Sequence, residues 1–570
     1  MHAITRSALQ PEKKNTKCLK YCTAFGCGEW KLVLSLPHSV ETIEDFIKKI
    51  DSVKPENVDF DDGIRNDLLL LKADLESYIT GTLYKGWHFP INFMEGIHVD
   101  MHTLISYMKF ENKDDFKKYE KRLACYPDQI SQVIGVLKIA VKNGHTNHQV
   151  SMEGVREQLK ELLSENLTPK ESCFLSPFAS PPKTIPEETL QSLLVDVIQV
   201  LKKHVLPAFQ ELAEFLENVY MKNLRTDISV QSIPKFDGYY QQCLNFHLSV
   251  VMTPEEIFNL GMKEVERIQK AMHKITEAEG FGTDIKRFNQ YLKERENFTY
   301  KTGGELVSAV EEMCFQKIHP SVSKLFNNIP KSQLMIKPAP EHMASSPVGC
   351  YYAGSFDGSR PGVYYINTAK VHALPRHTLM ALSLHEGEPG HHLQIMHAMS
   401  QKGLPKFRQN TEDMRYSYAP SRFPLHTAYI EGWGLYAEFL GEELGMYEDT
   451  YSLFGRYCFE IHRAARLVVD PGMHSMGWSV DEAVKYLCDT ALMEEKEACD
   501  EARRYVTWPG QACAYKIGEL KIRELRKKAE KQLGDEFKVQ DFHEAVLKCG
   551  PASLSVLETV VDDYIQGAQS

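Results

Sequence analysis

The sequence predicts a mainly helical fold with one small β-hairpin, and three observations carry that expectation. Capped segments with apolar residues at helical spacing recur through most of the 570 residues. Alternating aromatic and β-branched residues gather in one place, residues 350–366. Just after it, "LSLHEGEPGHHLQ" (382–394) sets three histidines and two glutamates into what otherwise reads as an apolar helix.

In chain order, the first clear element is "TLQSLLVDVIQVLKKHVLPAFQELAEFLENVY" (189–220), helical on both sides of Pro207. Proline has no N–H to give and its ring clashes with the preceding turn, so the element should kink or divide there. The Pro-rich "SPFASPPKTIP" (176–186) before it reads as a loop joining helical layers. A second helix starts with Thr253 as N-cap, Pro254 at the first helical position and Glu256 closing a capping box. Ile257, Leu260, Met262, Val265, Ile268 and Met272 supply its apolar stripe, and Gly280 ends it. Ser479 with Glu482 opens another capped helix. The hairpin pairs Cys350–Tyr352 with Val363–Ile366 around the turn-forming Asp357-Gly358-Ser359-Arg360-Pro361-Gly362. An edge strand beside the His-Glu helix can hold an extended peptide in register, which makes Tyr351 and Tyr352 candidate substrate contacts. No internal repeat is visible.

Composition bounds the function. At 43% hydrophobic and 25% charged, the chain has the make-up of an ordinary globular protein. A net charge of −11 argues against nucleic acid as a partner, because neutralising phosphates needs clustered Lys and Arg. No apolar run approaches the roughly 18 residues of a membrane span, so no integral membrane segment is expected. The first residues lack a secretory apolar core, and 13 cysteines without close pairing suit reduced thiols. Both point to the cytoplasm. The sequons at Asn166 and Asn297 would matter only in a secreted chain.

The familiar zinc-hydrolase helix places two histidines four apart. Here His391 follows His385 by six positions, about 240° around a straight helix, and His392 sits about 10 Å along its axis. Neither could share one ion with His385 on a straight helix. Pro389 lacks an N–H, however, and Gly387 and Gly390 free the backbone on either side. A bulge absorbing two residues would bring His391 to the second ligand position and turn Glu386 toward the open side as general base. The plain alternative is a helix end whose histidines satisfy carbonyls near Pro-Gly. His392 remains the competing ligand.

A second segment, "TAYIEGWGLYAEFLGEELG" (427–445), supplies a third ligand. Glu431 and Glu438 are seven apart, on one helix face, among Tyr, Trp, Leu and Phe where a carboxylate needs a partner. Glu431 is the expected third zinc ligand, and Glu438 the group that orients a ligating histidine. The competing reading is a surface charge beside an aromatic core stripe.

HEGEPGHHLQ and YIEGWGLYAE, with FDGSRPGVYYIN upstream and DPGMHSMGWS, RRYVTWPGQACAYKIG and GPASLSVLETVVDDYI downstream, resemble the family called domain of unknown function 885. That family is grouped by fold with zincin-type metallopeptidases of the glutamate-ligand class, similar to the angiotensin-converting-enzyme and oligopeptidase families. The resemblance runs from about residue 35 to the C-terminus. It implies a zincin-like helical domain over 36–570, readable as two lobes at 36–340 and 341–570, after an atypical or disordered N-terminal segment, 1–35. It also implies one zinc ion held by His385, His391 and Glu431, with Glu386 as the catalytic carboxylate. His474 and Tyr505 match positions facing the same cleft and are candidate oxyanion donors. Arg504 is shaped to pair with a substrate carboxylate, with Gln511 and Tyr515 along the same wall. The first 35 residues depart from the family's usual N-terminal helix and export signal, so the member is cytoplasmic, or secreted if the N-terminus is incomplete.

Zinc on two imidazoles and a carboxylate keeps a position for water and lowers its pKa toward about 7. The expected activity is therefore hydrolysis of short peptides. Two alternatives stay open: a zincin-like binding or scaffold protein without turnover, and a zinc amidohydrolase acting on non-peptide amides. The methionines of "MHAMSQKGL" read as core filler, and His397 as an exposed residue.

Overall fold

The computed structural model describes residues 27–52, 62–164, 166–295, 299–340, 348–355, 358, 360–401, 403–409 and 415–569. Residues 1–26 of the N-terminal segment, the Asn297 sequon and parts of the 356–359 turn lie outside them. Residues 27–35 begin a helix, Cys27–Ser52. The chain is mainly helical with one three-stranded sheet. Among the described residues no helix is long and apolar enough to cross a membrane.

The chain forms two compact units. One comprises the described residues within 1–49 and 87–224, the other those within 50–86 and 225–570. In the first, the helix Lys113–Leu123 is capped by the Asn112 side chain, which accepts from the backbone of Asp114 and Asp115. Tyr126–Asn143 ends at Gly144 in the left-handed conformation. Pro207 acts as expected, though by a specific device. A π turn, Leu201–Val205, separates the helices Glu187–Val200 and Leu206–Asn218, so the wider turn accommodates the carbonyl that the proline cannot bond. The same device, Met313–Ile318, precedes Pro320 in the second unit.

The second unit carries the His-Glu segment. Its elements are labelled α1 (Pro254–Ala278), β1 (Leu334–Pro338), β2 (Gly349–Tyr352), β3 (Gly362–Ile366), α2 (Arg376–Glu386), α3 (His391–Ser400), α4 (Thr427–Leu444), α5 (Thr450–Ser475), α6 (Glu495–Thr507) and α7 (Ala514–Leu533). The Thr253–Glu256 capping box opens α1, and Ile257, Val265, Ile268 and Met272 are buried. Met262 is exposed: the face packed on α5 turns through Gly261 instead. The Ser479–Glu482 box opens the helix Val480–Ala491.

The predicted hairpin is present, with Cys350 opposite Tyr365 and Tyr351 opposite Tyr364 in antiparallel pairing. A strand not anticipated, β1, adds parallel to β3, giving the order β1-β3-β2. Ile336, Tyr364 and Ile366 of this sheet bury against Leu379 and Leu382 of α2. With α4 and α5 also packed on it, every residue of α2 from His377 to Glu386 is buried. Its last two polar residues are therefore interior groups, not a solvated helix end.

α1 pairs with α5, and α4 with α7. A buried ion cluster ties these pairs together: Lys516 Nζ of α7 lies 2.8 Å from Glu460 of α5, 2.9 Å from Glu519 and 3.2 Å from Glu264 of α1. It fixes the start of α7, where Tyr515 stands, against the face of α5 that carries Arg463 and Arg466.

Candidate metal centre

The chain leaves the helix after Glu386 and re-enters it at His391, so Gly387–Gly390 form a break between two helices where the sequence suggested a bulge in one. Gly390 is required: a Cβ there would meet the His385 carbonyl oxygen at 1.9 Å. The break is held from α4, where Trp433 Nε1 donates to the Pro389 carbonyl at 2.8 Å.

This geometry brings His385, His391 and Glu431 together, with one ligand atom from each lying within 4.8 Å of the others. Glu431 Oε2 is 3.6 Å from His385 Nε2 and 3.4 Å from His391 Nε2. Two ligands held about 2.0–2.1 Å from one zinc ion at the tetrahedral angle stand about 3.4 Å apart, so the donor set fits zinc in type and spacing. The other nitrogen of His385, Nδ1, lies 2.8 Å from Glu438 Oε1, the carboxylate partner that zinc-ligating histidines commonly have. Arg463 Nη2 stands 3.1 Å from the same oxygen. Gly434, between the two glutamates on α4, lets the His385 ring in: a Cβ would meet it at 2.7 Å.

His392 is turned away. Its Nδ1 is 3.1 Å from the Tyr351 hydroxyl and its Nε2 is 3.2 Å from the Ser332 carbonyl. Burial lowers its pKa to about 4. Tyr352 packs on Tyr365.

The electrostatics follow from burial. Desolvation would push the His385 pKa down, but hydrogen bonding to Glu431 and Glu438 holds it up at about 9. Burial opposes ionisation of Glu431, yet the two histidines keep its carboxyl well below the usual range. Glu386 is raised by burial, against the pull of His385 and His391.

Arg504, Gln511 and Tyr515 come together as one group. Arg504 Nη2 donates to Gln511 Oε1 at 2.8 Å and to the Tyr515 hydroxyl at 3.0 Å. The Tyr515 ring stacks on His385, with centroids 6.5 Å apart. Two expected site residues are engaged elsewhere. His474 Nε2 lies 3.0 Å from the Tyr505 carbonyl and its ring packs on Tyr240, because the helix α5 runs on through Pro471-Gly472 and carries His474 inside its last turn. The Tyr505 hydroxyl donates to Glu501 at 2.5 Å and accepts from Arg466 at 3.0 Å, so it orients those groups. His397 is buried, 3.5 Å from Glu544.

The sequence reading missed Arg463, Arg466, His462, Glu501 and Trp433. The signal was available in "EIHRAARLVVD", where Arg463, Arg466 and Asp470 repeat at helical spacing inside an otherwise apolar helix. Charges on a buried face imply partners.

Residues 37–561 match the family described as "Bacterial protein of unknown function (DUF885)". The chain belongs to this family. A solved structure of a candidate lipoprotein from Colwellia psychrerythraea is 28% identical to this DUF885 chain, with a TM-score of 0.84 over 93% of this chain and 90% of that one. A second, a candidate lipoprotein of unknown function from Shewanella oneidensis, is 16% identical with a TM-score of 0.60, covering 92% and 91%. At that identity the likeness shows the fold alone. No curated protein matches the chain.

Proposed function

We propose that this DUF885 chain is a zinc-dependent hydrolase of zincin-like design that cleaves peptide bonds in short peptides. The observation that carries the reading is the buried His385–His391–Glu431 cluster with Glu386 beside it and Glu438 behind it. One zinc ion bound there supplies the Lewis acidity that lets water attack an amide carbonyl at neutral pH.

The chain's own groups do the rest. His385 and His391 offer Nε2 and Glu431 offers Oε2. Glu438 accepts the Nδ1 proton of His385, so the proton a metal ion would displace is the one on Nε2. Glu386 takes a proton from the attacking water and gives it to the leaving nitrogen, and with the second water proton following, the cleaved C–N bond ends as a carboxylate and an ammonium group. The Tyr515 oxygen already accepts from Arg504, which leaves its O–H to donate to the carbonyl oxygen as charge develops. Strand β2, an edge of the sheet packed on α2, offers its backbone to an extended substrate.

Glu386 favours turnover over a binding role, since holding a metal does not require it. Non-peptide amides would use the same chemistry. Zinc uptake by the purified protein, read by competition with a coloured chelator, tests the reading. The wild type should bind one equivalent, and His385→Ala, His391→Ala and Glu431→Ala should each lose it. Equal uptake by the three variants would refute the assignment.

For the compartment we propose the cytoplasm, supported by ten described cysteines that are all free thiols. The lipoprotein description of the Colwellia relative favours an exported location. Cell fractionation separates the two.

A further inference from the structure

We propose that Arg466 and Arg504 form a carboxylate-binding subsite beside the triad, so that substrates are peptides held by their free C-terminal carboxylate and cut near that end. This rests on the peptidase reading and names its substrate class.

The charge balance points to a missing anion. Arg466 Nη2 lies 3.0 Å from Glu501 Oε2, and Arg504 Nη1 lies 3.6 Å from Glu501 Oε1. Two guanidiniums thus share one carboxylate. His462, 3.5 Å from Glu501, adds no charge of its own near neutrality, because burial and then Arg466 lower its pKa to about 4. The remaining hydrogen bonds of the pair are to neutral groups, Tyr505 for Arg466, and Gln511 and Tyr515 for Arg504, while Asp470, the other carboxylate that acts on Arg466, is itself taken up by Tyr240 and Gly510 and is raised by burial to about 7. Arg466 Nη1 and Arg504 Nε are buried without a hydrogen-bond partner among the described residues. A buried cation short of a counter-ion is costly. Aromatic contacts, Arg466 over Tyr515 at 4.5 Å and Arg504 over Trp508 at 5.5 Å, offset only part of that cost. A carboxylate from the substrate would complete the balance, and Arg is the side chain best shaped to grip one.

Position supports the same occupant. The Tyr515 ring lies against His385 at 6.5 Å and against Arg466 at 4.5 Å, so the subsite is one aromatic ring removed from the triad. An extended residue spans about 3.3–3.6 Å, which puts a carboxylate held there within about three residues of a bond positioned at the triad. Solvent reaches both ends: the side chains of Glu431 and Arg504 keep 17% and 13% of their exposure.

The test uses the full-length, zinc-loaded protein and one mixture of N-acetylated peptides, prepared as C-terminal acids and as C-terminal amides. Amidation should slow cleavage about 10- to 100-fold, the range for losing a charge-assisted hydrogen-bonded pair. The products should lack one to three C-terminal residues. Arg504→Lys and Arg466→Lys, which keep the charge but lose the planar fork, should narrow the preference for acids. Equal cleavage of acids and amides, or cuts spread along the chain, would overturn the proposal. If neither set is cut, the peptidase reading fails and calorimetry judges the subsite separately. Glu386→Gln holoprotein should bind N-acetyl-trialanine more tightly than its amide, and equal binding or none would overturn the subsite.

Discussion

The Glu438 carboxylate stands 2.8 Å from Nδ1 of His385, two helical turns from Glu431, which faces Nε2 of the same ring. One helix, α4, thus grips both nitrogens of a histidine on another.

Loosening that grip should weaken metal binding without abolishing it. Glu438→Gln is expected to reduce zinc affinity about 10- to 100-fold, measured by chelator competition at fixed pH. Unchanged affinity would show that Glu438 serves only Arg463.

Glu386→Gln should bind zinc like the wild type and show no turnover. Metal analysis and a peptide assay on the same preparation check both halves. Activity within tenfold of wild type would remove Glu386 from the general-base role.

Gly434→Ala places a methyl group against the His385 ring. Overpacking of this kind costs about 1–3 kcal/mol, read as a lower denaturation midpoint, and zinc affinity should fall with it because the ligand itself is displaced.

Lys516 is buried among Glu460, Glu519 and Glu264. Lys516→Met leaves those carboxylates short of a counter-charge and should destabilise the protein by about 3–5 kcal/mol in urea denaturation. A neutral result would mean that Arg267, Arg456 and Arg523, which also pair with these glutamates, suffice.

Asp470 gives a pH signature. Burial raises its pKa to about 7, against hydrogen bonds from Tyr240 and Gly510 that lower it. Its ordinary value is 3.8, so the folded protein holds a proton that the unfolded chain releases between these values. Its contribution to stability is therefore greatest in acid and declines as pH rises from about 4 to about 7. Melting temperatures of wild type and Asp470→Asn across that range should differ in slope, with the declining component missing from the variant.

Much of this was legible in the sequence. Helix starts at Thr253 and Ser479 are local chemistry, as is the hairpin of residues 350–366, so each could be read from its own residues. The grouping of His385 with His391 was readable because Pro389 and two glycines ruled out a straight helix. The form of the interruption was not, since it depends on Trp433 reaching across from α4. β1 escaped because a five-residue strand of Leu, Met, Ile, Lys and Pro lacks a turn to mark its partner. The course of α5 through Pro471-Gly472, which carries His474 in the last turn, was not legible because that dipeptide commonly ends a helix. The Arg466–Glu501–Arg504 group joins α5 to α6, and contacts between helices leave only a periodic hint in either segment.

The most direct measurement is digestion of a mixed peptide library by the zinc-loaded protein, with Glu386→Gln as control and mass spectrometry as readout. The account predicts cleavage by the wild type alone, lost on chelation and restored by zinc. Equal cleavage by the Glu386→Gln variant, or no cleavage by protein shown to hold zinc, would contradict it.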